Sequence, residues 1–123
     1  MGRLPPELVD RIEAFSHRAA DLADAVESLG KSRRVVDQIY GAGTSVGANA
    51  AEADEAMSRK DFCKCLAIVL KELAELRYWF RFVVHRKWID ESRIAGLSSE
   101  SAELRKIIGA IIHRTRRNDL SAT

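Results

Sequence analysis

The chain has 123 residues, 46% hydrophobic and 31% charged, a balance that supplies one core of ordinary size and excludes global disorder. No apolar run approaches the ~20 residues that cross a bilayer, and Met1 to Glu13 is charged with no apolar signal segment, so a cytoplasmic protein with no membrane partner is expected. The net charge of +2 hides an uneven distribution: acids outnumber bases over residues 1–30, while residues 76–88 and 104–118 carry bases and no acid.

Four amphipathic helices follow from periodicity and punctuation. The first spans about 5–29. Leu8, Ile12, Phe15, Ala19, Leu22, Val26 and Leu29 form one stripe, Pro5 and Pro6 suit its start, and Gly30 suits its end. The second spans about 33–55, with Ser32 as N-cap and a stripe of Val36, Ile39, Gly43, Val46, Ala50 and Ala53. Its interior glycines each cost roughly 1 kcal/mol of helix propensity, which close approach of a neighbouring backbone must offset.

The third helix spans about 59–86. Ser58 caps it, Asp61 sits three residues on, Met57 and Phe62 occupy staple positions, and Phe62, Leu66, Val69, Leu73, Leu76, Phe80 and Val83 form its stripe. The fourth spans about 91–117, capped by Asp90 and stapled by Ile89 and Ile94, with a stripe of Ile94, Leu97, Ser101, Leu104, Ile108, Ile111 and Thr115. It is read as continuous through Gly96, although Ser98 to Ser101 could divide it, and the tail from Asp119 is read as frayed. The three connections are short, so neighbours run antiparallel. The expected fold is all-α: one up-down-up-down antiparallel four-helix bundle covering residues 1–123.

Particular residues in the second and third helices carry a resemblance. Gly43 to Ala53 contains Ser45-Val46, Asn49 and Glu52-Ala53, followed by Ser58, Asp61-Phe62, Leu70-Lys71-Glu72 and Tyr78-Trp79, with a matching end from Leu104 to Asn118. This pattern resembles the bacterial four helix bundle protein family, named after proteins encoded in intervening sequences of large-subunit ribosomal RNA. Gly47 stands where many members have Pro, Ala53 where they have Gly, and Lys71-Glu72 replaces a small pair. The resemblance implies a homo-oligomer, a pentamer built as a five-fold barrel of bundles. It is similar more distantly to the accessory variability protein of diversity-generating retroelements, which binds nucleic acid and docks a reverse transcriptase. For most members no activity is assigned.

Asn49 and Glu52 share a helix face among small residues. The favoured reading is a buried polar network fixing register with Glu75, Arg77 or Tyr78, since an unpartnered buried carboxylate is costly. A second stripe on the third helix holds Cys65, Ile68, Glu72, Glu75, Trp79 and Phe82. Either it widens the core face or Cys65, Ile68, Trp79 and Phe82 form an oligomer interface, the reading the resemblance supports.

Arg77, Arg81, Arg86 and Lys87 on one segment, and Arg114, Arg116 and Arg117 on the other, are candidate phosphate contacts for RNA or DNA. Their alternative role is to complement helix dipoles on a solvated face. His17, His85 and His113 have no second ligand one turn away, and Cys63 and Cys65 point to different sides as free thiols, so no metal and no cofactor are expected. No catalytic constellation is present in the sequence. The expected function is therefore a non-enzymatic, homo-oligomeric binding or assembly module for nucleic acid or for a nucleic-acid enzyme such as a reverse transcriptase. The alternative is a purely structural oligomer with a protein partner.

Overall fold

A computed structural model describes residues 3–122, with side chains through residue 118. Four helices follow in order: α1 (Pro6–Ser28), α2 (Arg33–Asp54), α3 (Arg59–His85) and α4 (Glu91–Ala122). Each packs along its neighbour in sequence, α1 closes the ring against α4, and among the described residues the diagonal pairs do not meet. This is the up-down-up-down bundle expected from the short connections. Helix α4 runs unbroken through Gly96 and on to Ala122, past the end the sequence suggested at Arg117.

The helix limits have local causes. The Ser32 hydroxyl accepts from the Val35 amide at 3.4 Å, and the Ser58 hydroxyl accepts from the Asp61 amide at 3.1 Å. Each satisfies an amide that the first turn leaves unpaired. Helices α1 and α3 end alike. Past α1, Gly30 has φ +69, its amide bonds the Glu27 carbonyl, and the Lys31 amide reaches back to Val26. Past α3, Lys87 has φ +60, its amide bonds the Val84 carbonyl, and the Trp88 amide reaches back to Val83. Both are left-handed caps that satisfy terminal carbonyls, the second without the usual glycine.

The core is one cluster filled along its length by the predicted stripes. Phe15, Ile39, Leu66, Leu73, Leu76, Phe80, Leu104 and Ile108 are among its fully buried side chains. Each large apolar side chain taken out of water in this way contributes about 1.5–3 kcal/mol. Ser101 is the one polar side chain buried among the described residues, and its hydroxyl donates to the Ser98 carbonyl at 2.8 Å.

Four positions depart from the sequence reading. Leu29 lies beyond the last turn of α1 and is exposed. Met57 is 92% exposed and cannot staple α3. On α4 the core passes from Ile108 to Ile112, leaving Ile111 and Thr115 at the edge. A helix of 3.6 residues per turn drifts against a strict seven-residue spacing, and over three heptads that drift moves the buried face by one residue.

The seams differ in width. Between α1 and α2 the residues are small. The Ser16 hydroxyl donates to the Gly43 carbonyl at 2.7 Å, and a Cβ on Gly43 would lie 2.7 Å from the Ala19 Cβ. A Cβ on Gly47 would lie 2.9 Å from the Ser16 hydroxyl. Close backbone approach is thus the reason the helix tolerates glycine at both positions. Gly41 has open space around it and no such explanation. The α1–α4 seam is the sparsest. A bidentate pair clamps it: the Arg11 guanidinium donates to both Glu100 oxygens at 2.7 and 2.8 Å. The Arg11 hydrogen bond holds the Glu100 carboxyl below its ordinary range, against the opposing effect of burial.

Candidate nucleic-acid interface

Because α3 and α4 run antiparallel, the first half of α3 lies beside the last half of α4. An open groove of about 710 Å³ runs between them. Its floor is Cys63, Ala67 and Ile68, and its walls are Arg59, Lys60, Lys64, Lys71 and Arg116. A second hollow of about 350 Å³ adjoins it at the same pole, sharing Arg59 and Thr115 and adding Arg3 and Arg114. The Arg3 guanidinium donates to the Ala56 carbonyl at 2.6 Å, and the Leu4 amide donates to Asp54 at 2.8 Å. These bonds pin the N-terminal segment across the end of α2, next to the basic pole.

Lys60, Lys64 and Lys71 stand on one face of α3, in the 4-3-4 spacing that Ala67 completes, and all three lysines are exposed. The sequence reading missed them. It scored charge in runs free of acid, and Asp61 and Glu72 interrupt this one; the signal lay in helical spacing. Of the residues it chose, Arg116 lines the groove and Arg114 the adjoining hollow, while Arg117 is exposed nearby in sequence. Arg77, Arg81, Arg86 and Lys87 lie toward the other end of α3. Arg81 lines a separate groove of about 560 Å³ against the first half of α4, and Arg86 and Lys87 are exposed at the turn. The two arginine clusters are therefore not one patch in a single chain.

The outer flank of α3 carries partly exposed apolar groups. Ile68 belongs to the groove floor, whereas Cys65, Trp79 and Phe82 are half-buried against the core. Burial pushes the Cys65 thiol up, with Glu52 and Asp61 adding to the shift. Tyr78, 52% exposed, sits on an aromatic cluster: its ring centre is 4.9 Å from Trp79 and 6.1 Å from Phe82, and Phe82 lies 5.6 Å from Trp88.

The expected buried network of Asn49, Glu52 and Glu75 is instead a set of separate arrangements. The Asn49 amide donates to the carbonyl and hydroxyl of Ser45, one turn back on the same helix. Glu52 is exposed. Glu75 accepts from the Trp79 indole at 3.1 Å. Small residues let Asn49 reach its own helix, so it needs no partner on α3. Glu72 is half-buried on the α3 flank, where burial and the neighbouring Glu75 raise its carboxyl above the ordinary range. Among the described residues no three His, Cys, Asp or Glu side chains converge on a metal-sized site, and no helix is long and apolar enough to cross a membrane.

The 23S rRNA-intervening sequence protein family matches this chain over residues 8–110. A 1.70 Å crystal structure from Bacteroides thetaiotaomicron VPI-5482, described as a protein of unknown function from the S23 ribosomal protein family, is similar at 32% identity and a TM-score of 0.81. The likeness spans 85% of this chain and 97% of that one. Among curated proteins none matches.

Proposed function

Since the chain belongs to the 23S rRNA-intervening sequence protein family, whose fold it shares with a relative of unknown function, we propose that it is a non-catalytic helical-bundle module that binds nucleic acid through the α3–α4 groove. One observation carries this reading: Lys60, Lys64, Lys71 and Arg116 line an open groove whose floor is apolar and uncharged. The cations of such a row displace the counterions condensed on nucleic-acid phosphates, and that release supplies affinity without sequence preference. A homo-oligomer, which the family resemblance implies, would set several grooves side by side and raise avidity without new contacts.

The test is binding of labelled RNA and DNA, single-stranded and duplex, across a salt series. The triple variant Lys60→Gln, Lys64→Gln, Lys71→Gln is expected to weaken binding of every probe at low salt. It should also flatten the salt slope by about 2 to 3 in log–log terms, one step per lost contact. Unchanged affinity would remove the groove from the interface. A second reading, a structural oligomer with a protein partner, is favoured by the exposed ring of Tyr78 over its aromatic cluster. A multimer in light scattering that ignores nucleic acid at low salt would select it.

A further inference from the structure

The lysine row of the groove does not end at Lys71. On a helix turning 100° per residue, Lys60, Lys64, Lys71, Tyr78 and Phe82 fall on one outward face, opposite the buried stripe. Exposure agrees: the three lysines and Tyr78 are exposed and Phe82 is half-buried, while Phe62, Leu66, Leu73 and Phe80 behind them are buried. Over about 33 Å of helix the face changes from cationic to aromatic. Glu75 marks the changeover. Its carboxylate accepts from the Trp79 indole and fixes that ring, and its charge repels a phosphate at that step.

We infer that this face holds single-stranded nucleic acid, with phosphates along Lys60, Lys64 and Lys71 and an unpaired base stacked on Tyr78. The inference rests on the groove reading above and narrows it. Phosphate recognition alone would accept a duplex, but a duplex hides the faces of its bases, and only an unpaired base can lie on an exposed ring. Tyr78 is suited to that contact. Trp79 meets it edge-on at an interplanar angle of 74° and Phe82 lies 6.1 Å away, tilted at 33°, so the ring is held in place before the base arrives and little ordering cost remains.

Fluorescence anisotropy of a short mixed-sequence strand and of the same sequence as a duplex separates the two claims. Wild type is expected to bind the single strand more tightly. Tyr78→Ala should weaken single-strand binding about tenfold and leave duplex binding and the salt slope unchanged, while Tyr78→Phe, which keeps the ring, should retain the wild-type affinity. Tyr78→Phe should melt with wild type, and Tyr78→Ala, which loses the ring contacts to Trp79 and Phe82 at a half-exposed site, should melt somewhat lower and stay folded at the assay temperature. If both probes bind alike and Tyr78→Ala alters neither, the stacking platform is overturned and the groove stands. If neither probe binds wild type at low salt, the groove reading fails and takes this one with it. If Tyr78→Ala lowers the mass measured by light scattering, the ring is a contact between copies, and the inference is overturned.

Discussion

The seam between α1 and α2 and the seam between α3 and α4 start from the same plan: two antiparallel helices joined through a left-handed cap. They diverge in the size of the residues that meet. Ser16, Ala19, Gly43 and Gly47 let two backbones come together until no Cβ fits, and the hollow left along that seam, beside Ser16 and Gly47, is only about 380 Å³. In the second pair the core residues are large, Phe62, Phe80, Leu104 and Ile108 among them, and a wider groove with basic walls runs along the outside. The seam of small residues thus keeps the smaller hollow, and the seam with larger ones the wider concavity with basic walls.

Glycine substitutions break that comparison most sharply. Gly43→Val should destabilise the fold by about 3 kcal/mol, because its branches enter space already filled by Ala19; urea melts give the value directly. On α4, a methyl group added at Gly109 would have nothing within 4 Å of it, so Gly109→Ala should instead raise stability by about 1 kcal/mol, the propensity difference alone. A loss at Gly109 comparable to that at Gly43 would mean that the two seams are equally tight.

The caps sharpen it further. Lys87 adopts a backbone conformation that glycine adopts freely, so Lys87→Gly should stabilise the α3–α4 turn by about 0.5–1 kcal/mol in the same melts, whereas Gly30 has nothing comparable to gain. The smallest effect belongs to the clamp. Glu100→Gln should cost about 0.5–1 kcal/mol at neutral pH, since Arg11 and Glu100 are partly exposed and solvent screens the pair. The sign with pH follows from the lowered Glu100 carboxyl. Its contribution is complete above the unfolded carboxylate value of about 4.3 and is lost as pH falls through the still lower folded value. Wild type and Glu100→Gln should therefore converge in stability in acid; a constant difference down to acid pH would assign the clamp no charge component.

Much of this was legible in the sequence because helices bury stripes. Every residue named for the α2 and α3 stripes is buried, and Gly43 announced a close approach before its neighbour was known. Two positions were misread within single helices. Ser45, one turn before Asn49, offers it a partner on its own helix, and a fixed seven-residue spacing carries the α4 stripe to Ile111 where the drift of a 3.6-residue turn puts Ile112 in the core. The basic groove was hidden for a related reason. Lys60, Lys64 and Lys71 are diluted by acids along the chain and become a row only when wound at 3.6 residues per turn, and Arg116 joins them only through antiparallel pairing.

The order of the seams also says something about how the chain moves. Three of the four join helices adjacent in sequence, so most of the core forms by closing short loops, a route that folds quickly. The fourth seam, α1 against α4, must bring distant parts of the chain together, and it is the sparsest, with Arg11 and Glu100 paired across it. Helix α4 is therefore the unit whose release costs least. Its amides should exchange with solvent ahead of those in α2, and a groove with α4 as one wall can widen without unfolding the other three helices.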